Sequence, residues 1–442
     1  MAKRYGLGRY AAGAAAARTG DEMSGPALLL LGLAVTGSAV SASALLAGVM
    51  IASALGGPLI GVLLDRAARP GRLLAAALTG YALALLAVLT CLGRLPLPVT
   101  VLIAVCAGLL GPALAGGWTA QLPRIAPGGG LARANAVDAM TYHAAGLLGP
   151  ALAGVVAQLA GASAGVVVST VLICLALPAA WSLPAALPGA RRREPTASIA
   201  TELRAGFRAT TGNPHLARAT ATTSISCAAE GMFVACAPLL WQWVLGGAGR
   251  GALLLSGVAL VALAVNALLA RRAVPPRPET VIRWSPVVLA VAFALAATGG
   301  TVPLCAAVLL AGIGEGPQLT ALFAIRHREA PERLRGQVFT TGASLKLTSF
   351  AVGAGVAGPL ATWSLPGALL TAAGVQLLAA LCFARWPGRP GGPDRTAAQR
   401  IPSRSRKVPE PPNDGSGSRR WGRTTGSRPR AAGSSDREGS SS

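Results

Sequence analysis

Long apolar stretches separated by short breaks restrict what this sequence can fold into. An α-helix needs about 20 residues to cross roughly 30 Å of hydrocarbon, and stretches of roughly that length follow one another along the chain. They cover residues 10–35, 42–64, 73–93, 96–118, 136–160, 163–185, 216–243, 250–270, 282–298, 301–325, 338–362 and 365–385. Hydrophobic residues make up 52% of the chain and charged residues 12%, about half the charged share of a soluble domain. We therefore predict an all-α integral membrane protein with twelve transmembrane helices in two six-helix bundles.

The 39 basic and 16 acidic residues, a net charge of +23, lie mainly in the breaks. Every second connection is rich in arginine: Arg66, Arg69 and Arg72; Arg124 and Arg133; Arg191, Arg192, Arg193, Arg204, Arg208 and Arg218; Arg271, Arg272, Arg277 and Arg283; Arg326, Arg328, Arg333 and Arg335. The opposite connections carry only Arg94 and Arg250. Because positive loops remain in the cytoplasm, both termini are predicted to be cytoplasmic. No basic helix face or basic groove with aromatic residues suggests a nucleic-acid partner.

Composition divides the chain into four parts. Residues 1–185 and 216–388 hold six apolar stretches each, and residues 186–215 form a basic linker that is predicted to contain an amphipathic helix around Ile199–Phe207. Residues 389–442 are rich in Pro, Gly, Ser and Arg, which favours a disordered cytoplasmic tail. The many arginine, alanine and glycine residues are typical of a GC-rich bacterial genome, so we expect a bacterial cytoplasmic membrane.

The two halves also resemble each other, at offsets of 204–209 residues. The matching positions are Gly149-Pro150 with Gly358-Pro359, Ala126-Pro127 with Ala330-Pro331, and Glu22 with Glu230. Transporters built from two repeats bind their substrates near the membrane midplane between the halves.

The connection between the second and third stretches carries a distinctive motif. Its residues are Gly61, Asp65, Arg66, Arg69, Gly71 and Arg72, and they resemble the loop signature of the major facilitator superfamily, in particular of bacterial multidrug-efflux-type members. The resemblance covers residues 5–385 and implies the two-bundle fold. It also implies that this loop is a cytoplasmic latch, in which Asp65 caps or pairs across the two halves and stabilises the outward-facing state.

A second motif lies in the fifth stretch. Gly146, Gly149, Pro150 and Gly154 resemble the family's antiporter motif, in which small residues let helices pack closely and a proline kinks the helix. Such glycine spacing also occurs in membrane helices for packing alone. The fourth stretch lacks the arginine that the family associates with proton coupling.

Ionisable residues inside apolar stretches are costly, and they persist mainly when paired, hydrated or functional. Here they are Arg18, Asp21, Glu22, Asp138, His143, Glu230, Glu315 and Lys346. Helical spacing lets Arg18 neutralise Asp21 or Glu22. Asp138 is expected to pair with loop arginines. Residues 312–317, Gly-Ile-Gly-Glu-Gly-Pro, are expected to be almost too flexible for regular helix, which suits a hinge. Arg18, Asp21, Glu22, Glu230 and Glu315 are the predicted substrate- and proton-binding residues.

These features predict a secondary active transporter, not an enzyme, that exports an amphipathic or cationic small molecule by proton antiport and acts as a monomer without a cofactor or metal. The seven cysteines form no C-x-x-C or Cys/His cluster. An importer or an uncoupled facilitator remains an alternative, because the fourth-stretch arginine is missing. A second alternative is a non-transporting receptor or assembly protein that uses the tail, residues 389–442, for docking.

Overall fold

The computed structural model describes residues 6–126, 130–185, 198–246, 251–272 and 276–385, and these residues form helices without any β-strand. The helices are α1 Leu7–Thr36, α2 Ala39–Arg66, α3 Pro70–Cys91, α4 Leu97–Pro112, α5 Leu122–Ile125, α6 Leu131–Ala160, α7 Ala162–Leu175, α8 Leu177–Trp181, α9 Ile199–Gly212, α10 Pro214–Leu245, α11 Gly251–Arg271, α12 Pro278–Ala296, α13 Thr301–Glu329, α14 Arg335–Trp363 and α15 Leu365–Arg385. A π-helical turn, Ala113–Gly117, continues α4.

Each predicted apolar stretch coincides with a helix, and α7 and α8 together form the sixth. Ten helices of the described chain are long and apolar enough to cross a membrane. The two exceptions are α1 and α14, which have 30 and 29 residues but contain ionisable groups such as Asp21, Glu22 and Lys346 within their apolar sequence. The all-α membrane fold is therefore confirmed.

Local sequence explains where several helices begin and end. The Ser38 hydroxyl accepts a hydrogen bond from the Ser41 amide at the start of α2, and the Asn213 side chain caps the first turn of α10 in the same way. Gly37 ends α1 with a φ of 63°, a left-handed conformation that glycine adopts without strain. These caps leave only short connections between successive long helices, which therefore run antiparallel.

The buried apolar residues divide into separate cores. The largest core draws on α1 to α8, and two further cores draw on α10 to α15. A small fourth cluster joins the two sets, since Ala120 and Ala139 pack with Phe323 and Phe339. Helices α2 and α14 also contact each other directly, as do α6 and α11. This arrangement leaves a space between the two sets of helices.

The amphipathic linker helix is α9, which begins after Ser198 and extends to Gly212, five residues beyond the predicted Phe207. Ile199 and Phe207 are 44% and 68% exposed. Residues 186–197 and the tail 389–442 lie outside the described residues.

The expectation for residues 312–317 is wrong, because α13 is one continuous helix through all six of them. The glycines there are packing positions. A Cβ on Gly312 would lie 2.7 Å from the Val258 carbonyl oxygen, and one on Gly316 would lie 2.8 Å from the Ala262 carbonyl oxygen. Both neighbours belong to α11, so the glycines allow α11 and α13 to approach closely.

Candidate functional site

A cavity of about 540 Å³ lies between the two sets of helices. Its wall is mostly apolar, and it is lined by residues of α1, α2, α6, α10, α11, α12, α13 and α14 and of the α4 π-turn region. The four predicted carboxylates, Asp21, Glu22, Glu230 and Glu315, all line it. Glu22, Glu230 and Glu315 each lie near the midpoint of a long helix. The structure thus brings together acids from three helices that are far apart in sequence.

Hydrogen bonds hold Glu230 in place. The Ser226 hydroxyl donates to its Oε1 at 3.2 Å, and the Gln318 amide nitrogen donates to the Ser226 hydroxyl at 3.0 Å. The Gln376 amide nitrogen in turn donates to the Ser226 carbonyl at 3.2 Å. This chain of contacts connects the Glu230 carboxylate on α10 to α13 and α15.

Glu315 faces a histidine from the other set of helices. Its Oε1 lies 3.9 Å from His143 Nδ1 on α6, and the Glu315 side chain is 35% exposed. Lys346 on α14 lines the same cavity, and no carboxylate of the described residues lies within 4.0 Å of its amine. The middle of the cavity therefore contains acids from both sets of helices together with a histidine and a lysine.

Arg18 does not neutralise Asp21 or Glu22, contrary to the prediction. Its Nη1 lies 2.8 Å from Asp138 Oδ1 on α6, and the two side chains are 2% and 0% exposed. Asp138 also accepts hydrogen bonds from the Tyr10 hydroxyl at 2.7 Å and the Thr119 hydroxyl at 2.8 Å. The expectation that Asp138 pairs with loop arginines is therefore wrong as well. Asp21 and Glu22 face the cavity without Arg18.

The fourth segment, which lacks an arginine of its own, receives the one from α1. Arg18 Nη2 donates to the Ala115 carbonyl at 3.3 Å and to the Thr119 hydroxyl at 3.0 Å. The π-helical turn around Ala115 departs from the regular α-helical hydrogen-bond pattern, which makes a carbonyl accessible to the guanidinium. The Arg18 guanidinium carbon also lies 3.7 Å from the centre of the Tyr142 ring, and Tyr142 lines the cavity. Arg18 thus lies behind the cavity wall.

The residues of the fifth-stretch motif have different environments on α6. A Cβ on Gly149 would lie 2.6 Å from Glu22 Cβ and 2.9 Å from the Met23 backbone nitrogen, so α6 and α1 require glycine there. Gly146 and Gly154 have no such neighbour within 4 Å, which differs from the close packing expected of all three glycines. Gly146 and Pro150 instead line the cavity. The motif therefore positions Glu22 and shapes the cavity wall.

The contacts between α2 and α14 lie towards the end of the molecule where the arginine-rich connections are, here called the basic end. Both oxygens of Asp65 accept backbone hydrogen bonds at the first turn of α14, from Gly336 N at 2.7 Å and Gln337 N at 2.9 Å. A carboxylate is favourable at a helix N-terminus because it satisfies free N–H groups and interacts with the helix dipole. Asp65 thus joins the two sets of helices.

Glycine allows α2 and α14 to approach this closely. A Cβ on Gly61 would lie 2.4 Å from the Gln337 Cα atom. Further along the contact, the Thr340 hydroxyl donates to the Gly57 carbonyl at 2.6 Å, and the Ser344 hydroxyl donates to the Ser53 carbonyl at 2.5 Å. The cavity is therefore closed at the basic end by α2 and α14.

The remaining motif residues support the surroundings of this contact. Arg66 Nε lies 2.7 Å from Glu202 Oε2 and so connects α2 to α9. Arg72 lies over the Trp181 ring at 5.3 Å, and a Cβ on Gly71 would lie 2.4 Å from the Ala180 carbonyl oxygen. Arg69 directly precedes α3 as its N-cap residue.

Positive charges crowd the closed end. Burial and the neighbouring charge of Arg335 lower the pKa of the Arg124 guanidinium below its ordinary value. Arg326, assigned from the sequence to a basic connection, is in fact in the last turn of α13, is only 2% exposed and lines the cavity. Arg326 directly follows the predicted apolar stretch 301–325, so the sequence did not distinguish it from a loop arginine. Asp65 is the acid in contact with the start of α14 here.

This fold is that of multi-pass membrane transporters. The human organic anion transporter MFSD10 aligns with a TM-score of 0.68 at 16% identity, over 87% of this chain and 100% of its own. A bacterial homologue of the iron transporter ferroportin, in an outward-facing state, aligns with a TM-score of 0.68 at 18% identity, over 87% and 99% of the two chains. The E. coli fucose:proton symporter FucP aligns with a TM-score of 0.64 at 14% identity, over 88% and 100%. At these identities, the likeness concerns the fold alone.

The sequence matches the Major Facilitator Superfamily over residues 10–341, and the chain belongs to that family. The family and its fold are those of transporters rather than enzymes. No curated protein matches the sequence, so a subtype such as multidrug efflux remains a prediction.

Proposed function

We propose that this protein is a secondary active transporter that exports a small amphipathic compound bearing a cationic group, in exchange for protons. The observation that supports this most is the set of carboxylates on α1, α10 and α13 around one largely apolar cavity. Apolar walls suit an amphipathic molecule, and acids near the membrane midplane suit both a cationic group and a proton.

The transport cycle proposed here is alternating access. The basic end faces the cytoplasm of a bacterial cell, as its arginines favour, and both termini lie there. Residues 1–185 and 216–388 act as two bundles that rock against each other within a monomer. Breaking the α2–α14 contact at Asp65 then opens the cavity to the cytoplasm, where the compound enters.

A two-stage experiment tests this function. Compound retention in cells lacking and overproducing the protein first identifies an exported compound, and proteoliposomes with an imposed pH gradient then test the coupling. Glu230→Gln and Glu315→Gln are expected to reduce gradient-driven flux at least tenfold while protein abundance is unchanged. Glu279→Gln is the matched control, because Glu279 forms an ion pair with Arg328 and does not line the cavity. Flux that persists in both cavity variants would remove these acids from the mechanism.

The same measurements separate the alternatives. The missing fourth-segment arginine allows an importer or an uncoupled facilitator. An importer would move its compound in the opposite direction, and a facilitator would move it without dependence on the pH gradient. A receptor or assembly protein would show no flux, and its function would depend on residues 389–442. Deleting that tail is expected to leave the flux unchanged.

A further inference from the structure

Arg326 is a buried arginine near the basic end of the cavity. It is 2% exposed, and its guanidinium donates no hydrogen bond and forms no ion pair among the residues that the structure describes; Nε and Nη2 are enclosed and unsatisfied. Arg18, buried to the same extent, instead donates to Asp138, Thr119 and two backbone carbonyls. A buried charge without a partner costs free energy that a bound counter-ion would recover.

The guanidinium lies in the wall of the cavity. Its central carbon is 5.8 Å from the centre of the Phe339 ring. The guanidinium also lies against the α14 backbone at Gly342, where an added Cβ would lie 2.2 Å from Arg326 Nη2. Glycine at position 342 therefore provides the room that the guanidinium occupies. An aromatic ring and a bare stretch of helix supply no counter-charge, and among the described residues no carboxylate pairs with Arg326, so a counter-charge would come from a ligand in the cavity.

The charges of the cavity are separated along the helices. Glu315 precedes Arg326 by eleven residues on α13, which corresponds to about 16 Å along the helix axis. Lys346 follows Gly342 by one turn of α14, or about 6 Å. Arg326 therefore supplies positive charge near the basic end, and the wall at the middle of the helices holds Asp21, Glu22, Glu230 and Glu315 together with Lys346. A ligand that spans the cavity meets both signs of charge.

We propose that Arg326 binds an anionic group of the transported compound, which is therefore amphoteric: a carboxylate or similar oxyanion lies at Arg326 and a cationic group lies at the mid-cavity acids. The proposal rests on the proposed export function and narrows its substrate class. A guanidinium donates charge-assisted hydrogen bonds that suit an oxyanion, and Nη1 is the nitrogen of Arg326 that the protein does not enclose. Lys346, also without an ion pair among the described residues, adds positive charge on the path between the two ends.

Matched amphoteric and cationic probes test this inference. Aminoalkylbenzoates of graded chain length carry both charges, and the corresponding aminoalkylbenzamides carry the amine alone. Their retention is compared in cells producing wild-type protein, Arg326→Gln or Arg326→Lys. Arg328→Gln is the control on the same helix, since Arg328 is partly exposed and pairs with Glu279 and Glu329 outside the cavity. Abundance in the membrane is measured for every variant, and binding to purified protein is measured by thermal stabilisation.

We expect the wild type to export a benzoate at least tenfold better than its benzamide. Arg326→Gln is expected to lose this preference, and Arg326→Lys to retain part of it. The control Arg328→Gln is expected to retain the full preference. Gly342→Ala supplies a second variant: its Cβ displaces the flexible end of Arg326 and is expected to cause the same loss. Gly355→Ala, on the same helix with nothing within 4 Å, is expected to behave as wild type.

Two results would overturn the inference. Export of the benzamides equal to that of the benzoates, or a benzoate preference unchanged in Arg326→Gln, removes the anionic subsite and leaves the export of cationic compounds standing. Export of neither series contradicts the proposed export of amphipathic amines itself. The two failures are therefore distinguishable.

Discussion

Arg18 on α1 and Asp138 on α6 form an ion pair at 2.8 Å that is closed off from solvent, with side chains 2% and 0% exposed. Tyr10 and Thr119 donate to the same carboxylate, so the pair belongs to a polar network that joins α1, α6 and the end of the fourth segment. Removing one partner of such a buried pair leaves an uncompensated charge.

Asp138→Asn or Arg18→Gln is accordingly expected to destabilise the protein by about 3–5 kcal/mol. The double variant Arg18→Gln with Asp138→Asn should lose less than the sum of the two single losses, because it leaves no unpaired charge. Thermal unfolding of the purified protein measures each step. The partly exposed pair of Arg328 and Glu279 is the control, where Glu279→Gln should cost less than about 1 kcal/mol. Additive losses in the double variant would show that the pair is not coupled.

Neutralising Asp65 is expected to open the basic end. Asp65→Asn replaces a carboxylate that accepts two backbone hydrogen bonds from α14 with an amide, which has one acceptor oxygen and no charge for the crowded arginines nearby. Spin labels on cysteines placed at Ala68 and Arg333, in a background without the native cysteines, measure the separation across this contact. We expect a new population at longer distance.

Glu332→Gln provides the comparison for Asp65→Asn. It removes one negative charge from the same end of the molecule, at an exposed position just before α14. Its distance distribution should match that of the wild type. A shift as large as that of Asp65→Asn would mean that the charge alone matters, and not the capping of α14.

Two glycines of the α6 motif, Gly149 and Gly154, allow a steric test. Gly149→Ala places a Cβ within 2.6–2.9 Å of Glu22 and Met23 and is expected to destabilise the protein by about 1–3 kcal/mol and to reduce transport, because it displaces Glu22. Gly154→Ala meets nothing within 4 Å and should be neutral. Unfolding temperature and flux are compared for both variants. Equal effects would contradict the assignment of the close contact to Gly149.

A bulkier residue at the α2–α14 contact should hold the basic end open. Gly61→Val directs a side chain at the backbone of Gln337, which cannot yield as a flexible side chain does. Cys227 lines the cavity, so its rate of labelling by a membrane-impermeant maleimide, added at the basic end of oriented vesicles, reports access once the other cysteines are replaced. We expect at least fivefold faster labelling.

Gly48→Ala serves as the reference for that experiment. Gly48 lies on the same helix, and its nearest atoms belong to Val101 and Val105 of α4 at 3.3–3.4 Å, away from α14. Its labelling rate should equal that of the wild type. If Gly61→Val also labels at the wild-type rate, closure at the basic end does not depend on this crossing.

The positions of the helices and of the mid-cavity acids follow from the sequence for simple reasons. Twenty apolar residues suffice for a span, and an acid such as Glu230 or Glu315 within such a span avoids lipid, so it points inward. Neither inference requires knowing which helices are neighbours. The positions of the helices and the inward direction of these acids are therefore predictable from composition and position alone.

The partners of these residues were not predictable, because they depend on packing. Helical spacing suggests neighbours three or four positions from Arg18, whereas its actual partner, Asp138, is 120 residues away. The glycines around Glu315 suggest flexibility in isolation, but between helices they permit close contact, and α13 remains regular. In the sequence, Arg326 at the end of an apolar stretch is indistinguishable from a loop arginine. Only the structure shows that it lies buried in the last turn of α13.

The hydrogen bonds between α2 and α14 set an energy scale for the opening of the molecule. Two end on Asp65, one on the Gly57 carbonyl and one on the Ser53 carbonyl. At about 0.5–1.5 kcal/mol net for each hydrogen bond, these four hydrogen bonds contribute only a few kcal/mol. Ligands that bind with dissociation constants between millimolar and micromolar release about 4–8 kcal/mol. A bound ligand shifts the balance between the closed and the open arrangement by the difference between its affinities for the two, so a difference of a few kcal/mol is enough to offset these four hydrogen bonds.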